Sequence, residues 1–176
     1  MGEALREGLR ENSGSPISPI SPYRKGHMDK IEEWHENRTK VPPGKYLLKC
    51  IKAGKASVWH EGQGGWGRSE KIILWFEIME GEHLGKVLPM FLPLGNNGKV
   101  PQGSKYFTAW CIANGLRRPP RTRLKEMPPA KFQNKVYEGE VVDVKPRWIT
   151  GREQPDLFQY SRVDILYELV VGDPNS

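Results

Sequence analysis

Apolar and polar positions alternate most clearly over Lys71–Met79 (KIILWFEIM). Ile72, Leu74, Phe76 and Ile78 fall on one face there, and Ile73, Trp75 and Glu77 fall on the other. A period of two predicts a strand, and the Glu80-Gly81 pair predicts the turn that ends it. Lys86–Leu94 predicts its hairpin partner, held to an edge because Pro89 and Pro93 cannot donate ladder bonds. Upstream, Lys45–Trp59 predicts a long first strand with a bulge or bend at Gly54, followed by a flexible glycine-rich tip, His60–Arg68. Ser104–Asn114 predicts a helix capped by Ser104 and ended by Gly115, with Phe107, Trp110 and Cys111 turned towards the sheet. Val136–Trp148 and Ser161–Val170 predict two further strands. In the last, Val163, Ile165, Tyr167 and Leu169 are expected inside, and Arg162, Asp164 and Glu168 outside.

This order predicts a mainly β fold: a five-stranded OB-like Greek-key barrel with one α-helix between strands 3 and 4. An SH3-like barrel and an irregular sandwich are the alternatives. The domain is expected to span 41–171, leaving 172–176 as a short tail. Residues 1–40, with their SPISPISP repeat, are expected to be disordered or partly helical. Within them, 29–38 suits a short polar helix with Ile31 and Trp34 on one side, and Met28 offers an alternative start.

Composition narrows the function. Hydrophobic residues are 37% and charged residues 27%, so part of the chain should lie outside the core. Neither a signal peptide nor an apolar run of roughly 18 residues is present, which predicts a cytoplasmic protein away from membranes. The two cysteines, Cys50 and Cys111, avoid CxxC spacing, and the four histidines avoid HxxxH and HExxH. No metal, cofactor or disulfide is therefore expected. The chain lacks GxSxG and kinase-type motifs, and no Lys-Ser/Thr follows the glycines at Gly62, Gly64, Gly65 and Gly67, so no catalytic site is expected.

Charge then points to a partner. The net charge is +6, and residues 116–135 (LRRPPRTRLKEMPPAKFQNK) hold seven Lys/Arg against one Asp/Glu. Such a basic field favours polyanions through counterion release. Single-stranded nucleic acid also needs flat rings for its bases, each stacked base contributing about 1–3 kcal/mol. Trp59, Trp66, Trp75, Trp148 and Tyr160 are the candidate stacking residues. Arg68, Lys71, Arg147, Arg152 and Arg162 are the candidate phosphate partners, extended by Arg117, Arg118, Arg121 and Arg123. Phe91 and Phe158 lie close to this set, and Trp75 also suits a role in closing one end of the barrel.

Pro43-Gly44-Lys45-Tyr46, the strand and turn in KIILWFEIMEGEHLGKVL, Ala113-Asn114-Gly115-Leu116 after the helix, and Gly139-Glu140-Val141-Val142 form a set of motifs. With them the chain resembles small phage and mobile-element proteins. That resemblance covers about 41–170. It implies an OB-fold single-stranded-DNA-binding protein among recombination and replication genes, with recombination or replication proteins as partners. Gln154-Pro155-Asp156-Leu157 departs from the family's Asn-rich segment, and the ending VVGDPNS departs from the acidic tails of bacterial single-strand-binding proteins. Partner recruitment through such a tail is therefore not expected. RNA in place of DNA, a protein-assembly module and an enzyme accessory domain are the alternatives.

Overall fold

The computed structural model describes residues 28–32, 38–62, 65–95, 99–145 and 159–171, and for 58–62, 65–68 and 171 it describes the backbone alone. Five strands form one antiparallel sheet: β1 Gly44–Gly62, β2 Gly65–Ile78, β3 Val87–Pro93, β4 Val136–Val144 and β5 Tyr160–Val171. Their order in the sheet is β3-β2-β1-β4-β5. Among the described residues the sheet is not closed by hydrogen bonds, although β3 and β5 approach within 8 Å between Cα atoms. Helices are few among the described residues: α1 at residues 28–32 and α2 at Lys105–Ala113, with a short 3-10 turn at Pro129–Phe132.

The alternating face of β2 forms the core, with Ile72, Leu74, Phe76 and Ile78 all fully buried. β3 takes the edge position that its prolines demand. Its residues Leu88, Met90 and Leu92 join the same core. Beneath the sheet, Phe132 packs between Tyr106 and Tyr137, with ring centroids 6.1 and 6.3 Å away, and Tyr137 meets Phe76 edge-on at 6.0 Å. Burial raises the pKa of both tyrosines, whose hydroxyls donate to the carbonyls of Met127 and Phe132.

The ends of α2 follow from local chemistry. Ser104 Oγ accepts the Phe107 N–H at 3.2 Å. At the other end Gly115 and Leu116 take positive φ, and the Leu116 N–H reaches the Cys111 carbonyl at 2.7 Å. Lys135, counted above in the basic segment, is buried, and its ammonium donates to the Ala113 carbonyl at 2.9 Å. It caps the negative end of the helix and is not part of a solvent-facing basic patch.

Four expectations need correction. The β1–β2 hairpin continues through the glycine-rich stretch, pairing as far as Gly62 with Gly65, because ladder bonds outweigh glycine's weak strand preference. The bulge in β1 lies between Cys50 and Lys52, not at Gly54, which pairs regularly with Ile73; the extra residue, Ile51, packs on the second face. β4 runs to Val144 and Lys145 lies outside the ladder; the remainder of the predicted stretch, to Trp148, lies outside the described residues. In β5, register shifts against β4 leave Asp164, Tyr167 and Val170 as extra residues. The inward positions therefore run Val163, Leu166 and Leu169, whereas Ile165 and Tyr167 are each 41% exposed.

The cysteines differ in environment. Cys50 is fully buried and burial pushes its thiol pKa up; Cys111 is half-buried, raised by burial and partly lowered by Arg118. Because the thiolate is the reactive form, native protein is expected to label first and slowly at Cys111 with an aromatic disulfide reagent. Cys50 should react only on unfolding. Simultaneous labelling of both in native buffer would contradict this packing.

Candidate nucleic-acid interface

The face of β2 opposite the core carries Lys71, Ile73, Trp75 and Glu77. Cross-strand pairing sets Ile73 against Phe91, Trp75 against Pro89 and Glu77 against Val87. On the other side of β2, Lys52 stands opposite Trp75 and Lys49 opposite Glu77. Tyr160, the first residue of β5, reaches the Phe91 ring edge-on at 6.5 Å. Trp75 and Val87 form the centre of this second cluster, with Ile51, Ile73, Phe91 and Tyr160 half-buried around them. The result is an aromatic platform with lysines at its border.

The platform is covered. Ile31 of α1 packs into it and is only 5% exposed, while Trp75 is 6% exposed. The Lys30 ammonium forms an ion pair with Glu77, and Lys52 Nζ lies 3.5 Å from Met28 Sδ. Further along, the Arg38 guanidinium sits 5.9 Å from the Tyr160 ring centroid. Ser161 fixes the next residues: its N–H donates to the Thr39 carbonyl at 3.1 Å and its Oγ accepts the Val41 N–H at 2.8 Å. The same Oγ has the Val41 carbonyl at 2.9 Å and Asp143 Oδ1 at 3.0 Å as acceptors for its one proton. A domain boundary at 41 therefore omits 28–32 and 38–40, which pack on the sheet.

Three candidates, Lys71, Trp75 and Tyr160, come together on this face. Trp75 is buried there, in one cluster with Ile31 of α1 and Val87. Arg162 lies near the seam between β5 and α2, 3.4 Å from Asp164, which also binds Lys105 Nζ at 2.6 Å. These half-exposed surface pairs hold their charges with little energy, typically about 0–1 kcal/mol. Arg117, Arg118, Arg121 and Arg123 are exposed in the loop after α2. That loop pairs back on the chain through a bridge between Lys99 and Arg123 and a 3.0 Å bond from the Val100 N–H to the Thr122 carbonyl. The shallow cleft between them, lined by Lys99, Gln102, Arg121 and Arg123, shares no residue with the Trp75 platform. Trp59 faces Arg68 in the β1–β2 register and Trp66 faces Glu61, but their side chains lie outside the described residues. Arg147, Trp148, Arg152 and Phe158 also lie outside them.

Residues not singled out from the sequence complete the site: Ile51, Val87, Lys49, Lys52, and Lys30 and Arg38 from the extension. Ile73 was legible as sharing a face with Trp75. Lys49 and Lys52 were hidden by the bulge, which places both beside β2's second face despite their odd spacing. Among the described residues no group of three or more His, Cys, Asp or Glu side chains converges as a metal site would need. No described helix is long and apolar enough to cross a membrane.

Compared with protein-family models the chain matches none, and comparison with curated proteins likewise finds no match. The chemistry of the face therefore carries the functional argument: rings and apolar side chains at the centre, cations at the rim, and one acid already neutralised by Lys30.

Proposed function

We propose that this protein binds single-stranded DNA with little sequence preference, without catalysis, in support of replication or recombination. In this reading the sheet is an OB-like barrel whose β3 and β5 edges face one another, and the ligand crosses β2 and β3. The observation that carries the reading is the platform of Ile73, Trp75, Phe91 and Tyr160, bordered by Lys49, Lys52 and Lys71. Bases stack on such rings without regard to sequence, and lysines meet the backbone as point charges. The basic cleft at Lys99, Arg121 and Arg123 offers a second phosphate contact.

Oligo-dT is expected to quench tryptophan fluorescence at low salt. If about four phosphates are neutralised, log K should fall against log[salt] with a slope of roughly −3. Absence of quenching at low salt would sink the reading. Oligo-rU as competitor separates RNA from DNA preference. A defined oligomer that persists at high salt without affinity for either would instead assign the aromatic face to a protein partner.

A further inference from the structure

We propose that residues 28–32 are a displaceable strap that occupies the platform in the free protein and gives way to bases when a single strand binds. The inference rests on the DNA-binding reading and adds a regulatory step to it. Three observations carry it. First, the occupant imitates the ligand: Ile31 places an apolar side chain against Trp75, and Lys30 places a cation on Glu77. A base cannot stack on a ring that is 6% exposed, so the platform has to be vacated before it can be used. Second, the footprint is small, since Ile31 is the one fully covered side chain among residues 28–32. Third, the chain beyond is pinned. Thr39 and Val41 are bonded to Ser161, and Arg38 lies over Tyr160, so a released strap stays tethered beside its site.

A tethered competitor acts at high effective concentration and weakens the apparent affinity by the fraction of molecules that are open. If about one molecule in ten is open, binding is about tenfold weaker than the bare platform allows. Lys30 contributes a second effect, because its ion pair with Glu77 has to break as the strap leaves and so favours the closed form.

The test compares the full-length chain with Ile31→Ser and Ile31→Leu, using fluorescently labelled oligo-dT and anisotropy at low salt. The serine variant is expected to bind about tenfold tighter, equivalent to about 1.4 kcal/mol. Without DNA, its tryptophan emission should become more accessible to acrylamide. The leucine variant should match the parent in both respects. A folded serine variant that binds equally or more weakly would overturn the strap, leave Ile31 as permanent core and move base stacking away from Trp75, while the parent's own binding keeps single-stranded-DNA binding itself intact. Failure of both parent and variants to bind overturns the two together. Should Ile31→Ser not fold, Lys30→Gln loosens the strap through the ion pair alone. It is expected to tighten binding severalfold although it removes a positive charge, and unchanged or weaker binding would overturn the proposal.

Discussion

Replacing Phe132 with alanine is expected to lower the free energy of unfolding by about 3–5 kcal/mol, as loss of a buried phenyl ring generally does. Phe132 is fully buried, ends the 3-10 turn before β4, and touches both Tyr106 of α2 and Tyr137 of β4. Tyr137 in turn contacts Phe76 of β2. One ring therefore couples the helix, the turn and the sheet, and its removal leaves a cavity that four separate elements would have to close. The Tyr137 hydroxyl also donates to the Phe132 carbonyl at 3.3 Å, so collapse of the turn would disturb a buried hydrogen bond. Small domains have only about 5–15 kcal/mol in total, so this variant should unfold at much lower urea. Phe132→Leu, which keeps most of the volume, should lose less than half as much. Urea denaturation followed by far-UV circular dichroism measures both. Equal losses for the two variants would show that the site does not depend on filling this space.

Tyr106, Phe132 and Tyr137 did not stand out in the sequence as core, and the reason is physical. Periodicity reveals a buried face only where an element is long and regular. β2 meets that condition, and its inward set was readable residue by residue. Phe132 lies in a four-residue turn surrounded by prolines and lysines, where no period exists to detect. β5 is long enough, but its register shifts against β4 change the phase after Val163, so strict alternation chose Ile165 and Tyr167 in place of Leu166. Tyr167 instead lies on the surface, where its hydroxyl bonds Glu140 and Lys45 Nζ sits 4.6 Å from its ring centre.

The site divides along the same line. That Trp75 faces away from the β2 core follows from alternation alone, and the second face is where it lies. That Ile31 covers it depends on contact between segments far apart in the chain, and the short polar helix holding Ile31 carried no signal of what it would meet. Lys135 shows the converse error. In sequence it belongs to a run of basic residues, but only the fold brings the end of α2 over it and turns a solvated charge into a buried cap. A count of charges along a segment thus overstates the field that segment presents to a ligand.

The same substitution at two glycines is expected to have opposite signs. Gly139→Ala should destabilise the protein by about 2–3 kcal/mol, near the upper end for overpacking of a core. A Cβ there would lie 2.8 Å from Leu48 Cδ1, 2.9 Å from the Ile165 carbonyl oxygen and 3.1 Å from Leu166 Cδ2. The Leu48 methyl has some freedom to move, but the carbonyl belongs to β5 at its register shift and can retreat only by separating β4 from β5. Gly139 pairs with Tyr46 on one side and Leu166 on the other, so the strain would fall on both neighbours of β4. Gly54, on β1, pairs with Ile73 and has nothing within 4 Å of its would-be Cβ. Alanine there should stabilise by about 0.5 kcal/mol, because it removes glycine's excess freedom from the unfolded chain. Paired urea titrations would read both shifts on one scale. A mild or absent loss at Gly139 would mean that β4 and β5 are not held as closely as this packing requires. A substantial loss at Gly54 would mean that the outer surface of β1 meets something closer than 4 Å, which would bear directly on how much of the platform is open to a ligand.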